Sequence, residues 1–259
     1  MEIESKVGVE GYNNIGLHMV VVNYRNYDDI DVMFDDGYIN KHKSFQNFKV
    51  GQIKNNNYPS VFGIGILGDK YKCKENGKYL KEYQMWANML NRCYLKTNKH
   101  YVDCEVDENF KHYEYFYEWC NSQENWKNIK EQNRIALDKD ILVKGNRIYS
   151  PDTCCIVPHN VNCIFMKHKN QKHNCPSGVT FSPKDNMYYS SCTLYGKVER
   201  NYFHNMTDAF YWYKSKKEAA IKKMAEIEYL NGNINKKCYD AMINYEVFDE
   251  YNIIVEEAS

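Results

Sequence analysis

The first third of the chain alternates. Gly16 to Tyr24 is apolar and rich in β-branched residues, and Asp29 to Phe34 puts Ile30, Val32 and Phe34 on one face with Asp31 and Met33 on the other. Asp35-Asp36-Gly37 is a hairpin turn, and a strand-like pattern resumes at Tyr38 and runs through Phe45 and Phe48 to Gly51. Residues 1–68 therefore read as a small all-β unit, a barrel or curled sheet. Asn55-Asn56-Asn57, Pro59-Ser60, Gly63, Gly65 and Gly68 mark residues 55–80 as a connector. The period then changes. Tyr83, Trp86, Leu90 and Cys93 recur at three- and four-residue steps, which predicts a helix over Lys81 to Tyr94. Phe110, Tyr113, Phe116 or Tyr117, and Cys120, with Trp119, predict another from Glu108 to Asn121. Both aromatic stripes read as core packing.

Further on, Leu137 to Leu142 is a short strand-like run and Lys144-Gly145-Asn146 a turn. Tyr149 to Pro158 forms a loop and a second strand, and a helix starts at Asn160, giving a ββα order. Three strands follow, Gly178 to Phe181, Met187 to Leu194 and Lys197 to Phe203, with a turn at Gly196. Thr207 is positioned to cap a helix from Asp208 to about Tyr229, with Phe210, Tyr213, Ala220, Met224 and Ile227 as its inner stripe. A short helix from Lys236 to Tyr245 and an acidic tail with Glu246, Asp249, Glu250, Glu256 and Glu257 complete the chain. The expected class is α+β. It comprises a small N-terminal all-β unit, a central ββα region with flanking helices over 78–168, a three-stranded antiparallel sheet plus helix over 174–230, and a helical and acidic tail over 231–259.

Composition narrows the function classes. No apolar run approaches the ~18–20 residues that span a bilayer, which excludes a membrane protein. The 15% of aromatic residues and zero net charge argue against disorder. The abundance of Tyr, 24 in all, together with Asn and Lys fits AT-rich coding of the kind found in low-GC bacteria and their phages. None of the ten cysteines forms a C-x-x-C pair, and no secretory signal precedes them, so a reducing cytoplasm is the expected compartment. Cys93, Cys104, Cys154 and Cys163 match no common zinc spacing. Net charge is zero only as a sum. Residues 1–62 hold six basic against eight acidic residues, whereas 165–223 hold eleven Lys and Arg against four acids, plus His168, His173 and His204. The second block is a candidate phosphate-facing surface.

Two segments resemble known modules. Tyr83-x-x-Trp86-x-x-Met89-Leu90-x-Arg92-Cys93-Tyr94, Tyr101-x-x-Cys104-x-Val106, the Phe110/Tyr113/Phe116/Trp119 stripe, Leu137-Asp138-Lys139-Asp140 and Tyr149-Ser150-Pro151-Asp152-Thr153-Cys154 resemble the HNH endonucleases of phages and mobile elements. Gly178-Val179, the Tyr188/Ser190/Cys192 strand face, Gly196-Lys197, Phe203, Thr207 and Ala209 resemble the DNA-binding module of Apetala/ethylene-response factors, also found in phage homing endonucleases. The N-terminal β region is similar to a segment that accompanies such phage proteins.

The first resemblance implies a DNA nuclease in which an Asp binds Mg²⁺ or another divalent metal, a His is general base, and a downstream Asn is a second ligand. Asp138 matches the metal position. Lys139 stands at the base position, and Thr153 where the Asn would be. A protonated Lys accepts no proton but can pair with phosphate. Strand alternation would put Asp138 and Asp140 on one face as metal ligands, Asn146 could join them from the loop, and His159 could replace the missing base. The second resemblance implies a sheet lying in the DNA major groove, with Lys184, Tyr189, Ser191, Thr193, Lys197 and Arg200 as contacts and Glu199 opposed to phosphate if it shares their face. The expected function is therefore double-stranded DNA binding with metal-dependent cleavage or nicking at a degenerate site. The alternatives are a DNA-binding protein without chemistry, or a phage factor that meets host machinery through its N-terminal β domain.

Overall fold

Strands β1 (Glu10–Tyr12), β2 (His18–Asn26), β3 (Asp29–Phe34) and β4 (Ile39–Lys43) form an antiparallel meander in that order. The structure, a computed structural model, describes residues 5–95, 101–165, 175–194 and 197–248. The Gly196 turn, His168, His173 and the tail acids Asp249, Glu250, Glu256 and Glu257 lie outside the described residues. The class is α+β. The chain divides into two compact units, Met1–Lys99 with Lys111–Phe116 and His100–Phe110 with Tyr117–Ser259.

In the first unit the alternation works as read: Ile30, Val32 and Phe34 are buried with Met19 and Val21 of β2. The strand expected to continue to Gly51 instead ends at Lys43. Helix α1 (Phe45–Lys49) follows, because the Ser44 side chain accepts the Asn47 N–H at 3.2 Å and caps it. Phe45 and Phe48, three residues apart, then share one face, their rings stacked with centroids 5.7 Å apart. The expected connector also holds a hairpin, β5 (Lys74–Glu75) and β6 (Lys78–Tyr79). Asn76 and Gly77 turn it with φ of 49° and 77°, the two positive values a type I′ turn needs. Helix α2 (Lys81–Tyr94) has the expected bounds and buries Trp86 and Leu90 completely. Gly65 passes so close that a Cβ there would lie 2.5 Å from Leu90 Cδ1.

β7 (Glu105–Val106), in the second unit, precedes α3 (Glu108–Lys111) and α4 (Tyr113–Ser122), of which Lys111 and residues 113–116 count with the first unit. The single helix expected here is broken at His112. The Lys111 carbonyl accepts the Ile66 N–H, and the Tyr113 N–H donates to the Ile66 carbonyl, so these backbone groups leave the helical ladder. After α5 (Trp126–Ile129) come β8 (Ile135–Asp138), β9 (Ile148–Tyr149), β10 (Cys155–Pro158) and α6 (His159–Ile164). β9 pairs in parallel with β7, while β8, β10 and α6 make the ββα order, with β10 antiparallel to β8.

The chain ends in an antiparallel sheet of β11 (Val179–Ser182), β12 (Met187–Leu194) and β13 (Lys197–Phe203), then α7 (Met206–Leu230) and α8 (Lys236–Ile243). The cap of α7 is Asn205, whose side chain accepts the Asp208 N–H at 2.8 Å, and not Thr207. The helix lies against two cores. Ala209 and Phe210 pack beneath the sheet with Val179 and Phe181. Ile221 and Ala225 pack with Val157 and Val161 of the ββα and with Cys238 and Met242 of α8. Of the expected stripe Phe210 and Ala220 are buried and Met224 partly so, the deepest contacts in the second core fall on Ile221 and Ala225, and Ile227 is exposed, because α6, β10 and α8 approach from that side. The segment after 231 belongs to this core through α8.

Gly178 enters the sheet at φ +81°, with the Tyr213 ring so close that a Cβ would lie 2.2 Å from Cδ2. Gly145 has a similar φ of +73° and nothing within 4 Å. Gly178→Ala is expected to cost roughly 2–5 kcal/mol in urea unfolding, from backbone strain plus overpacking. Gly145→Ala should cost only the backbone part, about 1–2 kcal/mol. Equal losses would remove the role given to the ring.

Candidate functional site

The loop between β8 and β10 carries Asp138, Lys139, Asp140, Asn146 and Thr153, which the sequence resemblance singles out. β8 stops at Asp138, paired with Cys155. Alternation stops with it, so Asp138 and Asp140 do not share a strand face as the sequence suggested. Asp138 Oδ1 instead accepts the N–H groups of Asp140 and Ile141, both at 2.8 Å, which folds the chain back into a turn. Burial pushes this carboxyl above its ordinary value, with the two N–H bonds opposing the shift.

Lys139 is buried, 6% exposed, against the expectation for a lysine. Its Nζ donates to Asp140 Oδ2 at 2.7 Å and to the Asn146 carbonyl at 2.6 Å, with the Tyr149 ring centroid 5.9 Å away. Asn146 completes the loop. Its Nδ2 donates to the Lys139 and Ile148 carbonyls and its Oδ1 accepts the Ile148 N–H. Thr153 donates its hydroxyl to the Ile148 carbonyl at 2.8 Å and shares a hydrogen bond with Ser150.

His159 does not join them. Pro158 pairs with Ile135 and Cys155 with Asp138, so His159, following Pro158, sits at the far end of the two-stranded sheet. Three residue steps separate the two ends, about 10 Å. The His159 ring faces Cys163, with Nε2 3.3 Å from Sγ.

This donor set does not fit a divalent metal. Mg²⁺ takes oxygen ligands in near-octahedral array at about 2.0–2.1 Å. Here the Asn146 oxygen already accepts a backbone N–H, one Asp138 oxygen accepts two, and Asp140 is paired with an ammonium whose charge opposes a second cation.

A second group has ligand chemistry. Oxygens of Asp29 and Asp31 and a nitrogen of His42 lie within 4.8 Å of one another. The cation there is the Arg25 guanidinium. Nη2 is 2.7 Å from Asp29 Oδ1, 2.5 Å from Asp31 Oδ1 and 3.2 Å from His42 Nδ1. Its hydrogen bonds hold the carboxyl of Asp31, which is 8% exposed, well below the usual carboxylate range and lower that of Asp29. The cluster reads as a structural ion pair that buries Asp31 on the polar parity of β3.

The sheet of β11–β13 presents a different surface. Register pairs Tyr189 with Tyr202 and with Thr180, Ser191 with Arg200, and Thr193 with Val198. These share the face turned from α7, whereas Tyr188, Ser190 and Cys192 face the helix. Ser190 Oγ donates to the Ala209 carbonyl at 2.6 Å and is fully buried. On the outer face the Arg200 guanidinium lies 4.7 Å from the Tyr189 ring centroid, and the Tyr189 and Tyr202 rings are 5.9 Å apart.

Glu199 has the helix-facing parity and pairs with Lys216 at 2.8 Å, so it does not oppose phosphate on the outer face. Lys197 also has that parity, because it lies three residues from Arg200 on one strand; its assignment to the same face is corrected. Lys184 is exposed in the β11–β12 turn at one end of the face. Tyr202, Val198 and Thr180 were missed, although counting pairs outward from the β12–β13 turn would have found Tyr202 and Val198.

Much of the basic block is spent on α7: Lys214 pairs with Glu218, Lys216 with Glu199 and Lys223 with Glu226, while burial lowers the Lys217 pKa. Among the described residues no helix is long and apolar enough to cross a membrane. All ten cysteines are thiols, eight of them buried.

Because folding raises the Asp138 pKa, its proton favours the fold at pH below the unfolded carboxyl pKa, and that contribution is lost as pH rises through the folded value. Asp138→Asn keeps an acceptor for both N–H groups and removes the charge. It is expected to raise the melting temperature at pH 7 and to make no difference near pH 3. A lower melting temperature at pH 7 would mean that the fold needs the carboxylate. Compared with protein-family models, curated proteins and solved structures, the chain matches none.

Proposed function

We propose that this chain binds duplex DNA through the outer face of the β11–β13 sheet, and that its ββα region is a scaffold without phosphodiester cleavage. One observation carries the reading: the outward positions of three paired strands hold Arg200, Tyr189, Tyr202, Ser191 and Thr193 and no carboxylate, while Glu199 is turned to Lys216. The three strand axes span about 10 Å, which suits a major groove about 12 Å wide. One guanidinium among hydroxyl donors favours contacts to phosphate and sugar over readout of base edges, so target selection is broad. The ββα loop supports the second half of the proposal, since Asp138, Lys139, Asn146 and Thr153 are engaged with one another or with loop backbone.

Arg200→Ala is expected to weaken binding to a duplex of arbitrary sequence about tenfold at low salt, the loss of one charge-assisted hydrogen bond of ~1.5 kcal/mol. Fluorescence anisotropy measures it, and an unchanged affinity would remove the sheet from the interface. Supercoiled plasmid incubated with Mg²⁺ or Mn²⁺ should remain unnicked. Nicking that disappears in Asp138→Ala would restore the nuclease reading.

A further inference from the structure

A second cationic surface lies in the first unit, in the stretch that the sequence presents as a connector. Residues 70–81 hold five lysines and a single acid, Glu75, in a chain whose net charge is zero. Lys72, Lys74 and Lys78 are exposed, and among the described residues none is paired with a carboxylate.

Glu75, exposed and in register with Lys78, is the one acid on the hairpin, and the other neighbouring acids are committed elsewhere. Asp69 Oδ1 accepts the Asn56 side-chain amide at 2.7 Å, Glu82 is buried on α2, and Glu114 accepts the Lys70 N–H at 2.6 Å. The backbone beneath is fixed. The Lys72 carbonyl accepts the hydroxyl of Tyr113, a fully buried residue, at 3.1 Å. The Leu80 N–H closes onto the Cys73 carbonyl at 2.9 Å, and the Asn76-Gly77 turn sets the tip. The lysines are therefore carried on a short hairpin tied to the core, so less chain entropy is lost when they bind.

We infer that the β5–β6 hairpin is a second nucleic-acid contact, in which Lys72, Lys74 and Lys78 bind the phosphate backbone of duplex DNA. The choice of duplex DNA rests on the function proposed above; the cationic hairpin itself does not. Backbone contact is favoured over base stacking because the aromatic ring at the site is engaged. Tyr79 stacks on Tyr83 with centroids 4.8 Å apart, and Lys74 Nζ lies 4.3 Å from the Tyr79 centroid.

Salt dependence of binding by the full chain tests the inference. Each phosphate contact adds about 0.9 to the slope of log affinity against log salt. Lys72→Gln/Lys74→Gln/Lys78→Gln should make the slope shallower by about 2.7, so that raising salt from about 50 to 200 mM costs roughly 40-fold less affinity than in the parent. The all-Arg triple variant should keep the parent slope. Circular dichroism should show both variants folded, since all three positions are exposed.

An unchanged slope in the Gln variant overturns the inference, as does a slope that falls with duplex RNA but not with duplex DNA. Arg200→Ala separates the two proposals: a full parent affinity in that variant, with a shallower slope in the Gln variant, would remove the sheet and keep the hairpin. Failure of the parent protein to bind duplex DNA at low salt would overturn both.

Discussion

One helix is shared between two cores, and the second unit depends on it. α7 is 25 residues long, about 37 Å at 1.5 Å per residue. Its first turns lie under the β11–β13 sheet through Ala209 and Phe210, and its later turns lie on the ββα and α8 through Ile221 and Ala225. Alanine at 209, 220 and 225 lets neighbouring backbone approach closely, and the buried Ser190 hydroxyl fixes the sheet to the first of these. Sheet and ββα are therefore parts of one cooperative body. A cavity at Ile221, or strain at Gly178, acts on both.

That arrangement sorts the charges. Three of the five lysines on α7 are matched by Glu199, Glu218 and Glu226, and the outward strand positions of the sheet hold one cation, Arg200, and no acid, with Lys184 and Asp185 in the turn at one end, where Asp185 accepts the Ser182 hydroxyl. In the first unit the lysines around Asn76-Gly77 share the hairpin with one exposed acid, Glu75, while Asp69 and Glu114 hold loop amides and Glu82 lies buried. A neutral total is thus compatible with two cationic surfaces. Net neutrality leaves little long-range attraction for a polyanion.

Much of this was legible in the sequence. The period-two run of Asp29–Phe34, the full extents of β12, β13 and α2, and the ββα order all follow from local pattern, since each buries one face against a neighbour. Errors arose where a remote group or an adjacent cap intervened. His112 leaves its helix because Ile66 takes the backbone bonds, and Phe45 and Phe48 turn helical because Ser44 supplies a cap. Two further misses were local: the Asn-Gly hairpin signal was present at 76–77, and a strand's alternation already forbade Lys197 and Arg200 from sharing a face. The fate of Asp138, Lys139 and Asn146 was not legible, because their hydrogen bonds form only when a loop of more than ten residues closes on itself.

Burial of Lys139 has a consequence for how its loop closes. A loop built around a metal waits for its ion, so its folding is a bimolecular event tied to ion supply and to the deprotonation of its ligands. Here the positive charge is covalently part of the loop, held between Asp140 and the Asn146 carbonyl. Closure of these contacts is then a unimolecular step, in which Lys139 supplies from within the chain the charge that a metal loop takes from its ion.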